Sequence, residues 1–230
     1  RIFCNSRLPE KPLAAAAGLG FMGKNTLMIV SGLGSLFVIA GVFLPVRAEG
    51  ERPTPQAAGA PAVGTSCGAC RACLEACPVG ALSEAGGLDA TRCLQALAGR
   101  AEAFSTATRA AWGKRLYGCQ VCQDVCPYNG SLRVEGETTL GEVGPSLSIR
   151  RLLGLGASGL KDLLRFTPMG MSWIDPRALL RNALVAAGNS GDAAVLPHLG
   201  PYGEQTDGLL REAARWSAGR LESGGSREAP

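Results

Sequence analysis

The sequence has a single histidine, little charge and no export signal, and each scarcity narrows what the chain can do. The histidine, His198, lies in Leu196-Pro197-His198-Leu199 within a helical stretch, where it reads as structural or exposed rather than catalytic. Charged residues make up 18% of the chain, the formal net charge is +4 and the pI is about 8.6. That balance is compatible with an anionic partner but too weak to demand nucleic acid. No signal or transit peptide opens the sequence. It begins at Arg1, and Arg1–Asn5 reads as the strand-like interior of a domain, so a further N-terminal portion is expected. A chain without an export signal keeps its thiols reduced, which points to the cytoplasm.

A long membrane-spanning run is also missing. The nearest approach is Leu27–Leu44 (LMIVSGLGSLFVIAGVFL), uncharged over 18 residues, the lower edge of what spans a bilayer. Its Ser31-Gly32-Leu33-Gly34-Ser35 centre reads as a turn between two runs rich in Ile, Val and Phe. Two buried strands therefore fit it better than a membrane helix.

What the chain does have is 230 residues, 46% of them hydrophobic, enough for one medium domain or two to three small ones. The first region, to about Arg47, is apolar and Gly-rich, with a helix expected around Leu13–Ala17 and then GLGFMGKNT. The segment Glu49–Ser66 is rich in Pro, Ala and Gly and reads as a linker. Cys67–Asn129 follows, with helix expected within Arg92–Trp112. The third region, from about Pro145, has helical periodicity. There Ala178-Leu179-Leu180-Arg181-Asn182-Ala183 recurs 30 residues later as Gly208-Leu209-Leu210-Arg211-Glu212-Ala213, each copy closing on a glycine, Gly188 and Gly219. Asp175-Pro176 is a helix start. The repeat suggests stacked helical pairs of HEAT type, with an ordinary helical bundle as the alternative.

Eight of the nine cysteines fall in the middle region. Cys67-x2-Cys70-x2-Cys73-x3-Cys77-Pro78 is the full run of a bacterial ferredoxin, in which three cysteines ligate one cluster and the fourth ligates the other. Cys119-x2-Cys122-x3-Cys126-Pro127 repeats the run without its first cysteine, and Cys93 can supply the missing thiolate. Two 4Fe-4S clusters need eight thiolates. The crossover rule assigns Cys67, Cys70, Cys73 and Cys126 to the first cluster, and Cys77, Cys93, Cys119 and Cys122 to the second. Zinc also uses C-x2-C pairs, but it does not require three cysteines at this spacing followed by Cys-Pro, nor a repeat of that ending. Cys4 lies outside the arrangement and reads as a small buried apolar residue.

Ala17–Met28 (AGLGFMGKNTLM), Gly34-Ser35, the cysteine framework and Gly113–Asn129 (GKRLYGCQVCQDVCPYN) together resemble the tRNA epoxyqueuosine reductase family, whose relatives are the cobalamin-dependent reductive dehalogenases. Leu180–Asn189 (LRNALVAAGN) is similar to the start of that family's HEAT-like repeats. The resemblance implies a cobalamin cofactor reduced through two 4Fe-4S clusters, an external low-potential electron donor, and a tRNA substrate. In it, epoxyqueuosine at the anticodon wobble position is reduced to queuosine. Such a reduction needs an acid to protonate the departing oxygen. At the family's Asp this chain has Asn5, which cannot serve as a carboxylic acid does. After Cys93, where the family has Ser-Tyr-Leu-Thr-Ile-Glu, it has Gln95-Ala96-Leu97-Ala98-Gly99-Arg100.

The expected fold class is α+β. Residues 1–48 would be the C-terminal part of a cobalamin-binding α/β domain, 49–66 a linker, 67–130 a ferredoxin-like double 4Fe-4S domain, 131–222 an all-α HEAT-like domain and 223–230 a disordered tail. Lys24 and Asn25 are candidates for contacting the corrin, or else form a solvated turn. Arg100, Arg109, Lys114 and Arg115 could neutralise tRNA phosphates or the clusters, or form a solvated helix face. A monomeric enzyme acting on tRNA without a membrane is expected. A paralogue with lost or altered substrate, serving as an electron carrier, is the alternative, and a plain ferredoxin-like module a third.

Overall fold

The computed structural model describes residues 1–4, 8–45, 64–130 and 146–224. Asn5, most of the expected linker and most of the expected tail lie outside them. Among the described residues the elements in chain order are β1 (Ile2–Cys4), α1 (Glu10–Ala16), β2 (Phe21–Met22), β3 (Met28–Ile29), β4 (Ala40–Val42), α2 (Ala72–Ala76) and α3 (Leu94–Leu97). There follow α4 (Thr106–Trp112), α5 (Val121–Asp124), α6 (Ile149–Leu164), α7 (Pro176–Ser190), α8 (Leu196–Gly203) and α9 (Gly208–Glu222). The structure is helix-rich with few, short strands. No helix among the described residues is long and apolar enough to cross a membrane.

Two units form. The first comprises Arg1–Asp89 and Gln120–Val134. Its strands make two antiparallel pairs, β1 with β4 and β2 with β3. The run Leu27–Leu44 therefore supplies two strands, as expected, but they do not pair with each other. Its central turn is closed by Gly34 N–H donating to the Val30 carbonyl at 2.8 Å, after which β4 pairs with β1. Only β3 is buried; Val38 and Val42 are 80% and 59% exposed. Cys4 is likewise exposed, contrary to expectation. Along β1 side chains alternate: the Phe3 ring stacks on Phe43 with centroids 5.0 Å apart, which turns Ile2 and Cys4 outward.

The second unit comprises Ala90–Cys119 and Glu135–Pro230. The segment Ala90–Cys119 thus packs with the helical region. Helix α7 starts as its sequence predicts, with Asp175 accepting from Arg177 N–H at 2.8 Å and Pro176 at the first turn. From Ala178 to Gly188 every residue of α7 is buried, and it packs on α4, α6 and α9. Fully buried Leu160, Leu164, Leu179, Leu180, Leu184 and Leu199 form the core, each contributing about 1.5–3 kcal/mol.

The two repeated stretches are α7 and α9, packed against each other, but Gly188 and Gly219 lie inside these helices rather than closing them. At Gly188 a β-carbon would come within 2.7 Å of Ser217 Oγ. The glycine lets α9 approach closely enough for Ser217 Oγ to donate to the Leu184 carbonyl at 2.7 Å. Helix α6 is broken at Gly156, and the Tyr202 hydroxyl donates to the Leu153 carbonyl beside the break.

Candidate metal centre

The first cysteine group wraps tightly. A 3-10 turn spans Thr65–Cys67, Cys70 N–H donates to the Cys67 carbonyl at 3.1 Å, and α2 carries Cys73. Cys77 ends α2 and Cys126 precedes the 3-10 turn Pro127–Asn129, both in extended conformation, because a residue before proline is pushed out of the helical region. Helices α2 and α5 pack against each other in the first unit, which brings the second Cys-Pro back beside the first three cysteines.

Cys67, Cys70, Cys73 and Cys126 line one cavity of about 240 Å³, together with Lys24, Asn25, Ile29, Ala72, Pro127 and Tyr128. These are the four thiols that the ferredoxin crossover rule groups. The Cys73 thiol is pushed up, first by burial and also by its neighbours Cys67, Cys126 and Cys70. Four thiolates this close repel one another unless a cationic iron core lies among them, so the residues present fit a cubane. None of the nine cysteines forms a disulfide. Among the described residues no three His, Cys, Asp or Glu side chains converge as ligands of a single metal ion would.

Of the other set, Cys77 and Cys122 belong to the first unit and Cys93 and Cys119 to the second. Cys77 Sγ accepts from Ala81 N–H at 3.3 Å. In the second unit Cys93 sits at the N-terminus of α3, and Gln95 Oε1 accepts from Cys119 N–H at 3.0 Å. Gln95, in the stretch that departs from the family, thus steadies a cysteine loop.

The GKN turn serves the cysteines too. Asn25 Oδ1 accepts from Leu27 N–H at 3.1 Å, and Thr26 takes a positive φ of 60° to close the β2–β3 loop. Lys24 and Asn25 are 8% and 4% exposed. Lys24 Nζ donates to the Gly68 and Cys70 carbonyls at 3.0 and 3.1 Å and to Glu84 at 3.0 Å. Asn25 Nδ2 donates to the Cys122 carbonyl at 3.5 Å. The turn is not solvated: both polar ends reach the cysteine loops. A cleft of about 320 Å³ opens nearby, lined by Glu10, Lys11, Leu27, Met28, Ser35, Phe37, Val38 and Ile39. Its apolar wall with two charged groups suits one side of a corrin, but a cavity of this size accommodates only part of such a macrocycle.

A second lock joins Ser35 to Gln123 and Asn129, residues whose pairing gives no signal in the sequence. Ser35 N–H donates to Asn129 Oδ1, Asn129 Nδ2 donates to Ser35 Oγ and to the Gln123 carbonyl, and Gln123 Nε2 donates to the Ser35 carbonyl at 2.9 Å. The Gly34-Ser35 turn is thereby fixed to α5 and the second Cys-Pro.

The basic residues divide. Arg109 is buried, paired with Glu212 and stacked over Trp216. Arg115 donates to the Trp112 and Ala111 carbonyls at 2.7 and 3.3 Å, capping α4. Neither belongs to a solvated face, whereas Arg100 and Lys114 are exposed. His198 is half-buried on α8.

Residues 66–129 match a family described as a 4Fe-4S double cluster binding domain. The chain is 31% identical to an epoxyqueuosine reductase of Lactococcus garvieae over 94% of its own length and 59% of that protein's. Among solved structures, a Bacillus subtilis epoxyqueuosine reductase whose catalytic aspartate loop is swung out of the active site superposes with a TM-score of 0.72 at 26% identity. That likeness covers 99% of this chain and 62% of the other. An epoxyqueuosine reductase bound to an epoxyqueuosine-modified tRNA stem loop has the same fold, with a TM-score of 0.72 at 24% identity over 100% of this chain and 62% of that one. The chain spans less than two thirds of the length of these relatives. Over that span the chain is similar to the epoxyqueuosine reductases, and within it residues 66–129 match the 4Fe-4S double cluster binding domain.

Proposed function

We propose that the chain is the cluster-bearing and helical part of a cytoplasmic, cobalamin-dependent reductase that converts epoxyqueuosine to queuosine at the wobble position of tRNA. The observation that carries this reading is the convergence of Cys67, Cys70, Cys73 and Cys126 on one cavity, joined to the GKN turn. Cys77, Cys93, Cys119 and Cys122 hold the other cluster on the ferredoxin pattern. Residues 1–48 complete a cobalamin-binding domain, 67–130 the cluster domain and 131–222 a HEAT-like domain.

Removing the epoxide oxygen as water takes two electrons and two protons. Clusters held by these eight cysteines would supply electrons singly, drawn from an external low-potential donor. Bound cobalamin supplies the two-electron nucleophilic reduction. This chain's own residues would hold these groups. Lys24, Asn25, Ser35, Gln123 and Asn129 fix the cysteine loops to the first region, whose apolar cleft would form one wall of the corrin site. Exposed Arg100 and Lys114 are available to tRNA phosphates.

A second reading rests on Asn5. With an amide at the family's Asp, the departing oxygen lacks that acid, which favours a paralogue with altered substrate serving as an electron-transfer protein. Expressing the complete gene product, reconstituting it anaerobically with cobalamin and assaying epoxyqueuosine-containing tRNA separates the two. Turnover to queuosine supports the enzyme. Cobalamin binding without turnover, with activity gained by Asn5→Asp, supports the paralogue. Iron without cobalamin binding contradicts the cobalamin reading.

A further inference from the structure

Among the described residues, Lys24 is the one ammonium that lines the cavity of Cys67, Cys70, Cys73 and Cys126. An ammonium has three protons to donate, and here all three are placed: on the Gly68 carbonyl at 3.0 Å, the Cys70 carbonyl at 3.1 Å and Glu84 Oε1 at 3.0 Å. Two of the acceptors belong to the loop that carries Cys67, Cys70 and Cys73. The side chain is 10% exposed, whereas that of Glu84 is 53% exposed and is shared with Arg71. The stem of Lys24 is also covered. Gly64, with a φ of 82°, lies against it so closely that a β-carbon would come within 2.5 Å of Lys24 Cγ. Gly64 N–H is held in turn by the Met22 carbonyl at 2.7 Å.

We propose that Lys24 is a positioning residue for the cluster held by Cys67, Cys70, Cys73 and Cys126, its buried ammonium fixing the cysteine loop and raising that cluster's reduction potential, with Glu84 moderating the effect. The inference rests on the ligand set proposed above. Reduction adds one electron to the cubane, breaks no bond and makes the site more negative by one charge. A cation shielded from water favours the reduced form, and the half-exposed carboxylate partly offsets it. Burial makes the cation's effect larger than that of a surface charge, which water and salt screen. The other cluster has a different ligand set, so the device acts on one of the two potentials.

The test is an anaerobic redox titration of the reconstituted full chain with dithionite as reductant, followed by electron paramagnetic resonance, alongside iron content. In Lys24→Met the oxidised-to-reduced ratio of one cluster at fixed potential should rise about tenfold, equivalent to a fall of about 59 mV for one electron. In Glu84→Gln the same cluster should shift the opposite way, by less. The second cluster should move in neither variant. Unchanged potentials at full iron content, equal shifts of both clusters, or a Glu84→Gln shift in the same direction as Lys24→Met would overturn the inference. If Lys24→Met fails to take up iron, Glu84→Gln decides alone. A wild-type chain that takes up no iron would instead overturn the ligand set itself.

Discussion

Ser35 N–H donates to Asn129 Oδ1 at 2.7 Å across 94 residues of sequence. The pair is buried, and the amide of Asn129 uses both ends: its oxygen accepts from Ser35, while its nitrogen donates to Ser35 Oγ at 3.0 Å and to the Gln123 carbonyl at 2.8 Å. An aspartate would keep the first bond and turn an acceptor against the Gln123 carbonyl. Asn129→Asp is therefore expected to cost at least ~2 kcal/mol, and Asn129→Ala about 1–3 kcal/mol, both read as a fall in the denaturation midpoint of the first unit. An unchanged midpoint in Asn129→Asp would show that the lock is not formed.

The nine cysteines should separate by function. Replacing Cys73 or Cys126 with Ser should lower iron from about eight to about four atoms per chain, measured by iron assay with the visible spectrum. Cys4→Ser should leave both unchanged, because Cys4 is exposed on β1 and does not line the cavity.

Arg181 and Asn182 hold the second unit together from inside α7. Arg181 is 1% exposed, lies over the Phe104 ring and donates to the Leu97 and Glu102 carbonyls. Asn182 Nδ2 donates to the Ala98 and Leu116 carbonyls, both at 2.9 Å. Burial pulls the Arg181 guanidinium down to about 10, so it stays charged at neutral pH. Between that value and the ordinary arginine range the unfolded chain binds the extra proton, so this group's contribution to stability rises with pH there. Arg181→Met leaves two carbonyls without a donor and should cost about 3 kcal/mol, with Arg181→Lys recovering part of it; chemical denaturation at neutral pH reads both.

Asp207 has two duties. It accepts from Leu209 and Leu210 N–H at the start of α9, and it pairs with Arg177 at 2.7 and 3.0 Å. The Arg177 hydrogen bonds hold its carboxyl below the usual carboxylate range. Its stabilisation is therefore complete above the unfolded carboxylate value and is lost as pH falls through the depressed one. Asp207→Ala should cost about 1 kcal/mol at neutral pH. Asp207→Asn should cost less, because it keeps the cap and loses only a partly exposed ion pair. Thermal unfolding of the two variants separates cap from charge.

What the sequence makes legible is local. Ligand spacing within Cys67–Cys77 and Cys119–Cys126 depends on a few residues of backbone, as does the Asp175-Pro176 helix start, so both can be read directly. Pairings that reach across the chain cannot. The apolar run Leu27–Leu44 contains two strands, but their partners Phe21–Met22 and Ile2–Cys4 are set by distant packing. Lys24 looks like a solvated turn residue until its acceptors, 44 to 60 residues away, are in place. Arg181 and Asn182 give a usable signal: polar side chains among Ala and Leu in a helix with no polar face must find partners inside.

The most direct measurement is iron, acid-labile sulfide and zinc per chain after anaerobic reconstitution, with Mössbauer spectroscopy on the same sample. Two cubanes require about eight iron and about eight sulfide atoms per chain, all with 4Fe-4S signatures. Stoichiometric zinc, or no more than about four iron atoms in the intact chain, would contradict the pair of clusters on which the functional reading depends.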